Sequence, residues 1–271
     1  MAKRTTSPRV KKQEVDISDF VSSFNNEILS NIKLDIKHKN ETQKKLTQAI
    51  KKNDVIICTG PPGCGKTFLS CAQSLFELKE NDKIRKIVLV KSVTTLKTEE
   101  IGFLKGTLEE KMEPFIFSFI KNFEKIIGSE TVEKLKNEKL IETLPIAYMR
   151  GINIDNAIII VDEAQNITIE NIRTILTRLG ENSKMILLGD LKQIDQKNKN
   201  NSALKFLIDN FKNIDNIEII EFGIEDVVRH PLIKIIEPIF DSVNVDKNKK
   251  PKEIVKPNKT NWLKKIFSGL K

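Results

Sequence analysis

Gly60-Pro61-Pro62-Gly63-Cys64-Gly65-Lys66-Thr67 sets glycines, a lysine and a hydroxyl in the spacing Gly-x4-Gly-Lys-Thr. Glycines in such a loop let successive backbone N–H groups turn towards one anion, and a helix starting at Lys66 adds its positive end. The lysine then reaches the β- and γ-phosphates of a nucleotide, while the threonine hydroxyl faces Mg²⁺. This is the Walker A pattern. Gly60, Pro61, Pro62, Gly63, Cys64, Gly65, Lys66 and Thr67 are therefore the expected ATP-binding residues, Lys66 also acting in catalysis. The alternative is a Gly-Pro turn that binds nothing.

Ile158-Ile159-Ile160-Val161-Asp162-Glu163 is an apolar run closed by two acids. At the C-terminal end of a buried strand, Asp162 is expected to hold Mg²⁺ with Thr67, and Glu163 to orient and polarise the attacking water. The other reading is a pair of acids capping the next helix. A carboxylate directly after the metal-binding aspartate suits hydrolysis by water better than transfer to an acceptor. Leu187-Leu188-Gly189-Asp190-Leu191-Lys192-Gln193 ends another apolar run on polar groups, so Asp190 and Gln193 are expected beside the γ-phosphate, unless they merely form a turn. Upstream, Asn40-Glu41-Thr42-Gln43 opens a helix with Leu46 and Ile50 on one face. Gln43 has an amide able to read adenine, or is an exposed helix glutamine.

These residues need a frame that brings strand ends together. Residues 54–59, 87–90, 157–161, 185–188 and 217–220 read as buried strands, and Lys66 to Leu78 as the helix after the glycine loop. Helical periodicity joins Ile172, Ile175, Leu176 and Leu179, and again Leu204, Leu207, Ile208 and Phe211. Apolar strands alternating with amphipathic helices predict an α/β fold, a parallel sheet with helices on both faces. Gly102 to Arg150 breaks the rhythm, between the Walker A and Walker B strands. Phe115, Ile116, Phe119, Ile120 and Phe123 predict a helix starting near Pro114, and Thr131 to Lys139 a second one, so this segment reads as a helical insertion packed on the sheet. The expected organisation is a disordered basic tail over 1–15, one ATPase domain over 16–243, a basic linker over 244–260 and a short amphipathic segment over 261–271.

Composition narrows the classes. No apolar run approaches the roughly 20 residues of a membrane span, and residues 1–13 lack the apolar stretch of a secretory signal, so the expected location is the cytoplasm. Cys58, Cys64 and Cys71 lack Cys-x-x-Cys spacing and read as reduced thiols. His38 and His230 stand far apart with no ligand cluster, which leaves oxygen-bound Mg²⁺ as the metal to expect. The net charge of +9 lies in the tails: residues 1–12 carry +5 and residues 247–271 carry +8, so the remainder sums to −4. Any basic groove on the folded part must be a local patch.

Six blocks extend beyond a generic Walker loop: Phe103-Leu104-Lys105-Gly106, Pro145-Ile146-Ala147-Tyr148-Met149-Arg150-Gly151, Val161-Asp162-Glu163-Ala164-Gln165-Asn166, Leu176-Thr177-Arg178-Leu179-Gly180, Gly189-Asp190-x-x-Gln193-Ile194-Asp195 and Asp226-Val227-Val228-Arg229-His230-Pro231. Together they closely resemble the PhoH family of ATPases, from about Asn40 to Phe240. The resemblance implies a RecA-like core of the superfamily 1 helicase type, with Gln43 in the place of the adenine-reading glutamine. Some relatives carry a PIN-type ribonuclease domain and unwind RNA; this chain has no room for that domain, so nuclease action is not carried over. Lys91 stands where the family is expected to have arginine, which keeps the charge and loses the planar fork. Helicase-type ATPases close two lobes over the nucleotide, one supplying an arginine finger. With one lobe here, the resemblance implies a homo-oligomer such as a ring, with Arg229 as first candidate finger, then Arg178 and Arg150. His230 reads as a packed or capping residue.

The expected function is thus Mg²⁺-dependent ATP hydrolysis coupled to RNA or single-stranded DNA, although aromatics at 6% offer no evident stacking platform. The alternative is a nucleotide-switched adaptor that binds a protein partner. An AAA+ protein ranks lower, because only Ile224 to Phe240 follows the last strand where a helical lid is needed. Trp262, Ile266, Phe267 and Leu270 share one helical face, suited to a partner's groove, an anionic membrane surface, or this protein's own core.

Overall fold

The computed structural model describes residues 28–91, 108–194, 202–228 and 236, leaving out the side chains of residues 108–113 and 115. The chain divides into two compact units, Met1–Val228 and Arg229–Lys271. Every element below belongs to the first unit; in the second, Ile236 alone is described, with helical backbone.

Six strands, β1 Val55–Thr59, β2 Lys86–Lys91, β3 Ile141–Thr143, β4 Ala157–Asp162, β5 Lys184–Gly189 and β6 Ile217–Glu221, form one sheet in the order β3-β2-β4-β5-β1-β6. All pairings are parallel. β1 is buried at every position and β4 everywhere except Asp162, as strands covered on both faces must be. The cover consists of α1 Glu41–Lys52, α2 Lys66–Glu80, α3 Leu108–Ile127, α4 Ser129–Asn137, α5 Ile169–Leu176 and α6 Ala203–Asn210. Strand alternation sorts the apolar residues into two cores. Ile56, Ile160 and Leu188 pack with Leu46 of α1, Leu69 of α2, Phe119 of α3 and Leu135 of α4. Ile57, Ile159 and Leu187 pack with Ile172 and Ile175 of α5 and Leu204 of α6. Burial of one such side chain contributes about 1.5–3 kcal/mol. The chain therefore has the α/β architecture that the alternation predicted, one all-parallel sheet with helices on both faces.

The insertion departs from expectation in two ways. Pro114 lies exposed inside α3 instead of opening it. A proline there forfeits one helix hydrogen bond, while Ile116, Phe119, Ile120 and Phe123 remain buried beyond it and hold the helix on the sheet. The segment also contains a strand, β3, which joins the edge of the sheet beside β2 in the register Ile87↔Ile141 to Leu89↔Thr143. Three residues, two of them polar, carry too little alternation to be read as a strand.

Parallel pairing puts every strand's C-terminal end on one edge, so the loops after β1, β4 and β5 share it, with β5 between the other two. Among the described residues, no helix is long and apolar enough to cross a membrane.

Candidate active site

The loop between β1 and α2 is shaped by its main chain. Gly60, Gly63 and Gly65 have φ of 148°, 88° and 95°. Gly60 has no space either: a Cβ there would lie 2.5 Å from Cβ of Phe222 and 2.7 Å from its carbonyl oxygen. Neighbouring segments clamp the loop through backbone bonds. The Phe222 N–H donates to the Thr59 carbonyl (2.8 Å) and the Val228 N–H to the Gly63 carbonyl (3.0 Å). Lys66 Nζ, at the start of α2, donates to the Gly60 and Pro61 carbonyls at 2.6 and 2.9 Å. Thr67 is half-buried beside it. Cys64 is buried, and its thiol donates to the Pro61 carbonyl. Burial pushes the Cys64 thiol up and Lys66 pulls it back; burial also raises Cys58 and Cys71, so all three stay protonated.

Gln43 reaches the same loop from α1. Asn40 caps this helix, its side chain accepting from the Gln43 N–H at 2.8 Å. The Gln43 side chain is buried, with Nε2 donating to the Cys64 carbonyl (2.9 Å) and Oε1 accepting from the Lys39 N–H (2.8 Å). Both ends of the amide are engaged, so reading adenine would require exchanging one of these bonds. The exposed-glutamine alternative is excluded by this burial.

Across β5, Asp162 ends β4 in register with Lys91 of β2. Burial raises the Asp162 carboxyl above its ordinary value; the Lys91 ammonium opposes this, Glu163 adds to it, and the Glu163 N–H and Lys66 pull it back. The fields of Lys66 and Asp162 therefore overlap at the sheet edge. Among the described residues, no group of three or more His, Cys, Asp or Glu side chains is placed to hold a metal. Thr67 and Asp162 offer a hydroxyl and a carboxylate. That all-oxygen set fits Mg²⁺, which takes one or two carboxylates together with phosphate oxygens.

Glu163 adopts φ 57°, the left-handed conformation that non-glycine residues rarely take, directly before the 3-10 turn Ala164–Asn166. Its Oε2 accepts from Gln165 Nε2 at 2.6 Å. The loop after β5 approaches from the other side. Asp190 is buried, its N–H donates to Gln165 Oε1 at 3.1 Å, and its carboxylate accepts from the Lys192 N–H at 2.9 Å. Gln193 is exposed at the tip, its N–H bonded to the Asp190 carbonyl. No role was expected for Gln165; its place in the Asp-Glu-Ala-Gln run gave no sign that it reaches β5.

The arginines separate. Arg178 donates to the Ile152 carbonyl and to Thr177 Oγ1, both at 3.0 Å, and its own carbonyl accepts from the Ile154 N–H, so it pins a loop. Arg150 is exposed. Arg229, His230 and the Trp262 to Leu270 segment lie outside the described residues. His38 is exposed, and its Nε2 bonds Thr47 Oγ1 at 2.8 Å.

The protein family described as PhoH-like protein matches residues 35–241. A PhoH-like protein of Bacillus subtilis (strain 168) is 39% identical over 235 residues, covering 86% of this chain and 72% of the relative. One of Mycobacterium tuberculosis (strain H37Rv) is 37% identical over 210 residues, covering 78% and 59%. Protein PhoH of Escherichia coli (strain K12) is 34% identical over 196 residues, covering 72% and 55%. The chain thus spans between 55% and 72% of the length of these relatives. Among solved structures, the large terminase of a thermophilic bacteriophage gives a TM-score of 0.42 at 11% identity, covering 74% of this chain and 50% of that one. The UvsW helicase of bacteriophage T4 gives 0.40 at 16%, covering 78% and 69%.

Proposed function

The chain belongs to the PhoH-like family, and on that premise we propose that it binds ATP with Mg²⁺ and hydrolyses it, in a homo-oligomer whose turnover is coupled to RNA or single-stranded DNA. The observation that carries the hydrolytic reading is the adjacency of Asp162 and Glu163 at the end of β4, on the sheet edge shared with the glycine loop after β1. Lys66 exchanges the Gly60 and Pro61 carbonyls for β- and γ-phosphate oxygens. Thr67 and Asp162 hold the metal, which when bound neutralises charge developing on the phosphates. Glu163 orients a water towards the γ-phosphorus and accepts its proton as the bond to the β,γ-bridging oxygen breaks. Asp190 and Gln193 sit one strand away, in a turn suited to registering the γ-phosphate. Gln43 supports the loop from α1 and is the candidate for the base.

Arg178 is committed to its own loop. That leaves Arg229 and Arg150 as candidate fingers, Arg229 first, with a neighbouring copy as the source. The tail charges of +5 and +8 support contact with nucleic-acid phosphates and a steep salt dependence. The reaction is assigned to the cytoplasm. Phosphate release with Mg·ATP, with and without RNA or single-stranded DNA at low and moderate salt, tests the coupling. Stimulation that fades with salt is expected, and turnover indifferent to both polymers would remove nucleic acid from the account.

A further inference from the structure

Gln165 follows the acidic pair Asp162-Glu163 by two residues, yet it also touches the Asp190 turn. It is 1% exposed, in the 3-10 turn after β4. Its Nε2 donates to Glu163 Oε2 at 2.6 Å, a short bond of the charge-assisted kind, and its Oε1 accepts from the Asp190 N–H at 3.1 Å. The space is cut to this amide. A Cβ on Gly189 would lie 2.5 Å from Gln165 Oε1 and 2.7 Å from Leu204 Cδ2, so β5 ends in glycine where the amide crosses it.

We propose that Gln165 is a positioning residue that ties the Glu163 carboxylate to the Asp190–Gln193 turn, so that a γ-phosphate felt by the turn sets the aim of the carboxylate. This rests on the hydrolytic reading above. The chemistry requires a side chain that donates at one end and accepts at the other. Glutamate lacks the donor, methionine lacks both, and asparagine is one methylene short. Glu163 has a left-handed backbone, and among the described residues its carboxylate is met by the Gln165 Nε2 donor. Lys192 and Gln193 follow the same anchor, because their N–H groups bond to the Asp190 carboxylate and carbonyl. Among the described residues, a shift of the turn is therefore passed to the Glu163 carboxylate by this amide.

The test uses the full chain and two variants, Gln165→Met, which keeps length and volume without hydrogen bonds, and Gly189→Ala, which leaves Gln165 in place but displaces its Oε1. Turnover of Mg·ATP is measured beside the affinities for ADP and for the non-hydrolysable analogue AMPPNP. Either folded variant is expected to lose about 10- to 100-fold in kcat, the scale for a displaced catalytic group, with ADP affinity within about twofold. The preference for AMPPNP over ADP should shrink towards one. If the wild type turns over and both variants match it, or if ADP affinity falls as far as kcat, the proposal is overturned. If the wild type releases no phosphate, the hydrolytic reading fails by itself. Gln165 is then judged on the analogue preference, which must collapse in the variants for the coupling to stand.

Discussion

The glycine loop is held at its main-chain carbonyls by donors from several segments, whereas at the acidic rim the described side-chain link between Glu163 and the Asp190 turn is the Gln165 amide. Around the loop, Thr59, Gly60, Gly63 and Cys64 offer carbonyls in turn to the Phe222 N–H just after β6, the Lys66 ammonium of α2, the Val228 N–H and the Gln43 amide of α1. At the rim, Glu163 and the Asp190 turn meet through Gln165. A backbone clamp tolerates change in most side chains around it but fixes the loop in one shape. A side-chain tie suits the rim to move, as a part proposed to respond to phosphate loss should.

Lys66→Ala gives the largest effect expected on the loop side. It removes the cation proposed to meet the phosphates, which costs about 2–5 kcal/mol for a desolvated charge pair, or roughly 30-fold or more in ATP affinity; a titration of Mg·ATP measures it. Near-normal affinity would mean that the clamp alone binds nucleotide. Gly60→Ala acts on the clamp itself. With φ at 148° and Phe222 in the way, it is expected to lower stability by about 1–3 kcal/mol or more, read as the denaturant midpoint. An unchanged midpoint would show that the loop bends more easily than the clamp implies.

Asp162→Asn is the smallest effect and has the opposite sign. Burial raises this carboxyl in the folded chain, so the unfolded chain gives up its proton first. Stability of the nucleotide-free protein then falls as pH rises from the ordinary carboxylate range through the raised folded value, and stays lower above it. The substitution removes that loss, so the melting temperature at neutral pH should rise while Mg²⁺-dependent ATP binding weakens. A fall in melting temperature would mean that Asp162 supports the fold as well as the metal.

The same contrast explains what the sequence disclosed. Gly60 to Thr67 was legible because a phosphate loop needs glycine and lysine at set spacing, and the central strands because burial on both faces demands unbroken apolar runs. β3 was hidden by its length and by Glu142 and Thr143, whose pairing with β2 is decided by the sheet edge. Pro114 misled because its signal is local, while the buried stripe from Ile116 to Phe123 belongs to the core. Gln43 was expected to read adenine from its helix, and its two bonds to Lys39 and Cys64 were beyond any pattern. Gln165 was invisible as a tie because its partner, Asp190, comes from a strand that only folding brings alongside.

The central claim is that the glycine loop and the acidic rim form one hydrolytic site with separable tasks. Glu163→Gln tests it most directly, with ATP affinity and phosphate release measured on the same protein. Turnover should fall by about 10²- to 10⁴-fold, the usual contribution of a positioned general base, while affinity for Mg·ATP stays within about threefold, since in this account the loop does the binding. Undiminished phosphate release, or affinity lost in step with turnover, would contradict the division.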